Sequence, residues 1–446
     1  MSGLKDDYQT GDNGLKLTDN MRKFVEALPS ELTVVLEKVR NNGGQVWIVG
    51  GAVRDAEMGV FSNDIDLATD LDPEQVIAVF PDCIQTGIKY GTVTVKSGNK
   101  LYQMTTLRSD GDYLDMRRPH DVQWEKSLIT DLSRRDFTIN SMAIDAKEGI
   151  LFDPFNGLND IKNKVIKCVG LANRRISEDS LRILRAFRFI SHGKGTKWRL
   201  DKELERAIEL NYKAINSLPG ERIWQEFEKI CKSQKASFIL IYMAELKILN
   251  EILGINISQN KKIMSSLMKI TRLEYLHLIV LLFSDSKNLE LKKFCERLRI
   301  SSRDIRKMEK IQSFIGILPN KQIKNLRLYR HLAGDEWHQQ LTLESAIRLH
   351  NLDNNDSEQG HAYVTEIINA IAKLPPLHHT TELANGNWLM QNTDITEGRR
   401  LGRLKQWLFR LQIENDFRTL SDVRLALTKI DWTQEDFENW PLLEMK

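Results

Sequence analysis

The stretch Val46-Trp-Ile-Val-Gly50-Gly51-Ala-Val-Arg54-Asp-Ala-Glu-Met-Gly-Val-Phe-Ser-Asn-Asp64-Ile-Asp66 combines a strand, a turn, a short helix and two acidic residues. Its apolar, β-branched start predicts a buried strand. Gly50 and Gly51 then allow a tight turn with no side chain to keep a ligand away. A helix predicted over residues 52–58 leaves free N–H groups at this turn and places Arg54 one turn in. The turn is therefore a candidate phosphate site.

Asp64 and Asp66 end this stretch. Alternate residues of a strand face the same side, so a strand over residues 64–68 makes the two carboxylates converge while Ile65 packs behind them. A Gly-Gly turn alone is more often a plain turn, and such an acidic pair alone is more often a solvated strand face. Together they predict a Mg²⁺ site beside a nucleotide.

Composition restricts the class of protein. A chain of 446 residues, 41% hydrophobic and 28% charged, should fold into two or more domains. Its net charge of +3 means that any nucleic-acid surface must be a local patch. The four cysteines show no zinc spacing, and the N-terminus lacks the apolar segment of a secretion signal. The longest apolar run, Leu276–Phe283 with His277 inside it, is too short to span a bilayer. We expect a soluble cytoplasmic protein with reduced cysteines.

The pattern along the chain changes near Gly170. Strand-like segments predominate between residues 46 and 169, whereas the sequence after Ser177 is helix-periodic almost to its end. One amphipathic helix is predicted over residues 21–39, just before the first strand. This pattern predicts an α+β fold, with a mixed-sheet head followed by helices. The predicted parts are a lead-in (1–24), the head (25–170), a helical neck (171–235), a helical body (236–375) and a helical tail (376–446).

The motif G-G-x-x-R-D followed by D-x-D resembles the signature of the polymerase-β-like nucleotidyltransferases. It is most similar to their class II branch, the CCA-adding enzymes and bacterial poly(A) polymerases. The resemblance is strong over residues 46–226 and weaker beyond. It implies a polymerase-β-like mixed-sheet head on an all-helical neck, body and tail. It also implies that Asp64 and Asp66 are the catalytic residues and hold the metal.

Gln103 departs from the family pattern. It lies in a strand predicted over residues 101–108, behind the two aspartates, and the family usually has glutamate at its position. A third carboxylate is therefore missing, and the Mg²⁺ site rests on Asp64, Asp66, phosphate oxygens and water.

The stretch from Arg108 to Pro119 is rich in charges and turn-forming residues, which predicts an exposed loop. In CCA- and A-adding enzymes a flexible loop here is required to add A. The resemblance assigns to this loop Arg108, Asp110, Tyr113, Asp115 and Arg117.

The stretch Ser133-Arg-Arg-Asp-Phe-Thr-Ile-Asn140-Ser-Met-Ala143 is a second match to the family. There, the residues matching Arg135, Asp136 and Asn140 contact the phosphates and ribose of the incoming nucleotide. For Arg134 we expect a structural role, in a buried Arg–Asp pair that fixes a turn.

A third match is Ser177-Glu-Asp-Ser-Leu-Arg-Ile-Leu-Arg-Ala-Phe-Arg-Phe189, where Ser177 predicts the N-cap of a helix. An unplaced helix of this kind would be a solvated, salt-bridged face. The resemblance instead implies that Asp179 and Arg182 read the Watson–Crick edge of CTP or ATP. Cytosine and adenine both present an amine beside an acceptor nitrogen, which suits a carboxylate and a guanidinium. Arg185 and Arg188 would orient the base and neutralise phosphate.

Further along, Glu221 and Arg222 are expected to support this site rather than to act in it. A lysine- and arginine-rich stretch over residues 287–330 is either a solvated helical face or a surface that follows RNA phosphates. The tail faintly resembles the segment where tRNA docks in the family. No obligate protein partner is evident.

These features predict a CCA-adding tRNA nucleotidyltransferase that takes tRNA, CTP and ATP and releases pyrophosphate. An A-adding enzyme that completes tRNAs begun by a CC-adding partner is the nearest alternative. A poly(A) polymerase is disfavoured, because residues 86–92 lack that branch's Gly–basic–basic–Phe run. CC-only addition is disfavoured by the intact loop. A non-catalytic RNA-binding relative is an alternative of another class, and Gln103 is the feature that favours it.

Overall fold

The chain forms two compact units, one ending at Ile252 and the other beginning at Leu253. Within the described residues, no helix is long and apolar enough to cross a membrane. The predicted α+β architecture, with a mixed-sheet head and a helical remainder, is confirmed. The computed structural model describes residues 14–85, 87–110, 122–192, 198–270, 272–286, 288–348, 354–434 and 436–445.

The strands all lie in the first unit as far as the structure describes it. They are β1 (Leu15–Lys16), β2 (Val46–Val49), β3 (Asp66–Thr69), β4 (Thr92–Ser97), β5 (Lys100–Thr106), β6 (Arg108–Asp110), β7 (Val122–Trp124), β8 (Ala143–Asp145), β9 (Ile150–Phe152), β10 (Val165–Ile166) and β11 (Arg199–Leu200). Seven of them form one sheet in the order β1-β9-β8-β2-β3-β5-β4. Its pairs are antiparallel except β3 with β5, so the sheet is mixed. Two small sheets pair β6 with β7 and β10 with β11.

The sheet brings the glycine turn beside the second aspartate. All four residues of β2 are buried, as its apolar sequence predicts. In the antiparallel pairing of β2 with β3, Val49 lies opposite Asp66. Gly50 therefore leaves the sheet where Asp66 enters it. The strand predicted to begin at Asp64 begins instead at Asp66, and Asp64 lies just before it.

The helices of the first unit pack around this sheet and continue past it. The helix predicted over residues 21–39 is wrong as a single element, because Pro29 separates two helices. Pro29 has no N–H to donate, and its extended backbone (ψ 141°) begins the second of them. The helices are α1 (Asp19–Glu26), α2 (Ser30–Asn41), α3 (Gly51–Glu57), α4 (Pro73–Val79), α5 (Leu128–Ser133), α6 (Gly157–Asn163), α7 (Ala172–Glu178), α8 (Leu181–Ile190), α9 (Lys202–Asn211), α10 (Gly220–Cys231), α11 (Ala236–Glu245) and α12 (Ile248–Leu253), with 3₁₀ turns at Ile88–Tyr90, Thr138–Asn140 and Tyr212–Ser217.

The second unit is helical throughout its described residues. Tyr329 and Leu341 are fully buried at the centre of one of its apolar clusters, and Leu404 and Leu389 at the centre of another. The predicted boundaries between neck, body and tail stay predictions. The helices are α13 (Lys261–Lys269), α14 (Tyr275–Leu282), α15 (Asn288–Leu298), α16 (Ser302–Ser313), α17 (Ile323–Ala333), α18 (Trp337–Arg348), α19 (Asn354–Ala372), α20 (Gly386–Asn392), α21 (Arg399–Asn415) and α22 (Leu420–Leu427), with 3₁₀ turns at Gly334–Glu336 and Phe437–Asn439.

Candidate active site

A cavity of about 430 Å³ in the first unit brings the predicted site residues together. Its wall contains all ten residues that the sequence suggested for nucleotide binding, although they are spread over three separate stretches. Asp66 also lies on this wall, whereas Asp64 is not among the lining residues. Six arginines and three aspartates give the wall a surplus of positive charge, which suits a polyanion. The lining residues are Gly50, Gly51, Arg54, Asp66, Arg135, Asp136, Asn140, Asp179, Leu181, Arg182, Arg185, Arg188, Phe189 and Arg222.

The glycine turn has the backbone that its sequence predicts. Gly50 has a φ of 73°, in the left-handed region that favours glycine. A Cβ at Gly50 would lie 3.2 Å from Nη1 of Arg135, so a side chain would crowd this guanidinium. The helix predicted after the turn is present as α3. On it, Arg54 is buried and donates from Nη1 to Oδ1 of Asn140 (2.6 Å) and from Nε to Oδ1 of Asp55 (2.9 Å).

The two acidic residues have the alternating exposure that was predicted, with Ile65 buried between an exposed Asp64 and an exposed Asp66. The surrounding protein limits hydration of the Asp66 carboxyl and raises its pKa, and the neighbouring charge of Asp64 raises it further against the opposing effect of Arg135. The charge of Asp64 therefore disfavours ionisation of Asp66. A bound divalent cation would remove this repulsion, so the pair fits such an ion.

Gln103 lies next to Asp66 on the neighbouring strand. Met104 is the register partner of Leu67 in the parallel pair of β5 with β3, so the preceding residues Gln103 and Asp66 share one face of the sheet. Gln103 is exposed. The strand thus places a neutral amide where the family usually has a carboxylate.

Asp136 joins two parts of the cavity wall. Its Oδ1 accepts from Nδ2 of Asn140 (3.1 Å) and from the N–H of Phe137 (2.8 Å), and its Oδ2 accepts from Nε of Arg185 (2.8 Å). Burial alone would raise the pKa of Asp136, but the charge of Arg185 and these hydrogen bonds outweigh it and lower the pKa to about 2. Because Asn140 also accepts from Arg54, a continuous polar chain runs from the glycine turn to α8.

One buried carboxylate fixes the adjacent arginines 134 and 135. Oδ1 of Asp131 accepts from Nη2 of Arg134 (2.6 Å), and its Oδ2 accepts from Nη2 of Arg135 (3.0 Å). Asp131 is only 1% exposed. The structural pair expected for Arg134 is therefore present. Arg135 alone of the two reaches the cavity wall.

The predicted helix start at Ser177 is wrong. Ser177 lies in the last turn of α7, where its Oγ donates to the carbonyl of Asn173 (2.9 Å) instead of capping a new helix. Asp179 is extended (φ −150°), and α8 begins two residues later. Oδ1 of Asp179 accepts from the N–H of Leu181 (3.1 Å), so this carboxylate satisfies the helix start. No glycine or proline marks the break in the sequence.

Arg182 fastens the two helices at this break. Its Nη1 donates to the carbonyl of Arg175 (2.7 Å) and to Oε2 of Glu178 (2.8 Å) on α7. The residue is only 7% exposed. Arg182 therefore lies on the cavity wall in a fixed orientation, with its backbone on α8 and its partners on α7.

Arg222 has a closer relation to the site than the sequence suggested. It lines the cavity, and its Nη2 donates to Oδ2 of Asp179 (3.1 Å). On the same helix, α10, Oε2 of Glu226 lies 2.7 Å from Nε of Arg188. Spacing could not reveal these pairs, because they join residues about 40 positions apart in the chain.

The sequence analysis assigned no role to Phe189. It is 3% exposed, and three guanidinium groups surround its ring. The Cζ atoms of Arg54, Arg185 and Arg188 lie 5.1, 5.7 and 4.6 Å from the ring centroid. Cation–π attraction lets this one ring hold three like charges close together.

Two further predicted surfaces are the flexible loop and the basic stretch of the second unit. Arg108 and Asp110, assigned to the flexible loop, are on β6, and Arg108 donates to the carbonyl of Tyr90. Tyr113, Asp115 and Arg117 lie outside the described residues. In the second unit, the basic residues of α15 and α16 are exposed. They include Lys292, Lys293, Arg303 and Arg306.

Family comparison agrees with the geometry of the cavity. Residues 46–167, which carry the glycine turn and the two aspartates, match the family described as the poly A polymerase head domain. A second family, described as the probable RNA and SrmB-binding site of polymerase A, matches residues 198–254, beyond the head domain.

Curated relatives of the chain are named CCA-adding enzymes. One from Bacillus licheniformis is 41% identical over 233 residues, which are 52% of this chain and 56% of the relative. One from Listeria monocytogenes is 43% identical over 209 residues, which are 47% of this chain and 51% of the relative. The chain thus spans about half the length of the curated relatives it matches.

Solved structures share the fold over most of the chain. The Bacillus stearothermophilus CCA-adding enzyme in complex with CTP superposes with a TM-score of 0.70 at 24% identity, over 90% of this chain and 98% of that one. The Thermotoga maritima CCA-adding enzyme complexed with tRNA superposes with a TM-score of 0.63 at 19% identity, over 93% and 99%. At these identities the likeness shows a common fold, in which a mixed-sheet head precedes a helical remainder.

Proposed function

We propose that this protein is a CCA-adding tRNA nucleotidyltransferase. It would add C, C and A to the 3′ end of tRNA from CTP and ATP, release pyrophosphate, and use no nucleic-acid template. One observation carries the proposal: a single cavity combines an acidic residue of the D-x-D pair with six arginines and with the Asp179–Arg182 pair. The name shared by the relatives supports it.

Asp64 and Asp66 are the proposed catalytic residues and would hold Mg²⁺ through their carboxylates. Limited hydration and, second to it, the charge of Asp64 raise the pKa of Asp66, and a dication would offset both effects. When bound, Mg²⁺ supplies charge that favours ionisation of the RNA 3′-hydroxyl and offsets negative charge on the phosphate under attack. Gln103 adds no charge, so Asp64 and Asp66 are the two carboxylates that would hold the ion.

The arginines near the glycine turn would bind the triphosphate. Arg54 is held by Asn140 and Asp55, and Arg135 is held by Asp131, so both guanidinium groups keep their positions without a ligand. Such fixed charges need little reorganisation when negative charge develops on phosphate oxygens. Gly50 leaves room beside Arg135, where a Cβ would otherwise point. Together these residues would orient the nucleotide for in-line displacement of pyrophosphate.

Asp179 and Arg182 would select the base. A carboxylate accepts from the exocyclic amine of cytosine or adenine, and a guanidinium donates to the neighbouring ring nitrogen or carbonyl. Uracil and guanine present the opposite pattern at these positions and would leave charged groups unpaired. Arg222, bonded to Asp179 in the structure, would hold the carboxylate in place.

The exposed basic residues of α15 and α16, together with the tail over residues 376–446, are the proposed tRNA-binding surface. Lysine and arginine bind RNA mainly through the phosphate backbone. This surface would hold the body of the tRNA, whereas base choice belongs to the cavity.

A direct assay tests the proposal. Purified protein is incubated with three tRNAs, which end at the discriminator base, in -C and in -CC, with CTP and ATP supplied separately. We expect CTP to extend the first two substrates and ATP to extend the third. Extension of only the -CC substrate by ATP would instead identify an A-adding enzyme. No extension of any substrate, with tRNA binding intact, would identify a non-catalytic RNA-binding relative.

A further inference from the structure

Three potential metal ligands converge in the second unit, in a place that the proposed reaction does not use. Glu274 immediately precedes α14, and His277 lies in the first turn of that helix. Glu336 ends the 3₁₀ turn before α18. One ligand atom from each of these residues lies within 4.8 Å of the other two. Two parts of the chain about 60 residues apart thus bring an imidazole and two carboxylates together.

His277 is the unusual member of this group. It is 1% exposed, and its Nδ1 has no hydrogen-bond partner among the described residues. A buried polar atom without a partner is costly, and native structures rarely keep one without a reason. His277 and Glu336 both line a cavity of about 220 Å³. The unpartnered side chain therefore borders space beside a carboxylate.

Lys307 is the competing cation at this place. Its Nζ lies 3.5 Å from Oε1 of Glu336, and its side chain is 43% exposed. This long, exposed ion pair neutralises the charge of Glu336 only in part. Lys307 is not a partner of the buried Nδ1 of His277, which has no hydrogen bond among the described residues.

We propose that Glu274, His277 and Glu336 form a binding site for a divalent transition-metal ion of the Zn²⁺ class. Imidazole and carboxylate are ligands that Zn²⁺ accepts together, and three protein ligands leave a fourth position for water. Mg²⁺ prefers an all-oxygen octahedral shell and would be discriminated against. Ligand atoms about 2 Å from a common ion lie roughly 3.5 Å apart, so small side-chain shifts would close the site. The ion would cross-link the start of α14 to the turn before α18.

Zinc titration of the full chain tests this site. The background carries Asp64→Asn and Asp66→Asn, so that the head pair contributes no metal binding. After chelator treatment, we expect one Zn²⁺ per chain by calorimetry and metal analysis, and a higher unfolding temperature with Zn²⁺ than with equal Mg²⁺. Loss of even an indirect partner of a metal ligand lowers affinity about 10- to 100-fold. Glu336→Gln and Glu274→Gln should therefore each weaken Zn²⁺ binding at least about tenfold and remove the thermal shift.

Asp335→Asn is the matched control, since Asp335 is exposed, adjoins Glu336 and lines the same cavity without belonging to the three ligands. It should bind Zn²⁺ like its parent. The proposal is overturned if Glu336→Gln and Glu274→Gln bind Zn²⁺ as tightly as the parent, or if Asp335→Asn loses as much affinity as they do. Both glutamates are at least partly solvent accessible, so their variants should fold even if a substitution at His277 does not.

Discussion

Arg185 donates from Nε to Oδ2 of Asp136 across 2.8 Å, and this pair fastens α8 to the head residues that line the cavity. The same carboxylate accepts from Asn140, which in turn accepts from Arg54. Four side chains from three separate stretches thus share one network. Its orientation is set by protein partners, so a nucleotide would meet groups already in place.

The first prediction concerns this network and pH. Asp136→Asn should lower the free energy of unfolding at pH 7 by about 3 kcal/mol, because it leaves the half-buried Arg185 without its counter-charge. The folded-state pKa of Asp136, about 2, is below its ordinary 3.8, so its stabilisation is present above pH 3.8 and is lost as the pH falls through 2. Denaturant unfolding between pH 7 and pH 3 measures the difference.

The difference from wild type should stay constant down to about pH 4 and shrink only below it. Asp145→Asn provides a control, since Asp145 has an ion pair with Arg40 outside the cavity. A difference that disappears already between pH 7 and pH 5 would show that Asp136 does not have a strongly lowered pKa.

The second prediction separates catalysis from stability. Asp66→Asn should reduce nucleotide addition by about a thousandfold or more, because charge stabilisation by a metal contributes several kcal/mol. Its unfolding temperature should be unchanged or higher, since repulsion with Asp64 is removed. Asp82→Asn, an exposed residue outside the cavity, is the control for both measurements. Retained addition in Asp66→Asn would remove this residue from the proposed catalytic pair.

The third prediction concerns base selection. Arg182→Ala and Asp179→Ala should each lower the efficiency of C and A addition about ten- to a hundredfold, the cost of a lost hydrogen bond to a charged group. Discrimination against U and G should fall as well, because the same polar groups reject them. Arg222→Met should have a weaker effect of the same kind, since Arg222 only holds Asp179.

Incorporation of all four nucleotides by each variant is the measurement, and Arg174→Ala is a control on the exposed side of α7. If Arg182 merely neutralises phosphate, every nucleotide will be added more slowly with the preference unchanged. That result would contradict a base-reading role.

The fourth prediction concerns the loop between β6 and β7. Deleting residues 111–117 should leave C addition nearly intact and strongly reduce A addition, because the deletion removes none of the ten cavity residues proposed to bind the nucleotide. Single-nucleotide extension of the -C and -CC tRNAs measures the two activities. A Gly/Ser segment of equal length in the same place distinguishes loss of sequence from loss of length. Equal loss of both activities would indicate a structural role for the loop.

The fifth prediction concerns RNA binding by α15 and α16. Changing Lys292, Lys293, Arg303 and Arg306 to glutamate should weaken tRNA binding and reduce its salt dependence by about one unit of slope for each lost phosphate contact. The same change at Lys261 and Lys262, exposed on α13, is the matched control. Unchanged tRNA affinity would make the basic stretch a solvated helical face.

Much of the head was predictable because its signals are local. The apolar run of β2, the glycine turn and the alternation around Ile65 each depend on neighbouring residues, and each is present in the structure. The grouping of the ten cavity residues was predictable only through the resemblance, since they belong to separate stretches. Contacts between residues far apart in the sequence could not be predicted, as the hydrogen bond from Arg222 to Asp179 shows.

The incorrect predictions of secondary structure also have physical reasons. Pro29 ended a helix that hydrophobic periodicity alone extends to residue 39. The strand expected from Asp64 begins later, although the exposure pattern that motivated it is present. His277 looked like a lone polar residue in an apolar run, because its two acidic neighbours in space include one about 60 positions away.

The break between α7 and α8 carries a consequence for protein engineering. Ser177 and Ser180 at this break are weaker helix formers than alanine, so an optimisation of helix propensity would replace them and favour one continuous helix. In such a helix Asp179 would give up its extended backbone, and with it the direction in which its carboxylate now points. We expect a variant with one continuous helix to unfold at a higher temperature and to discriminate less well among nucleotides. Under the proposed function, this irregular backbone would orient the carboxylate that selects cytosine and adenine.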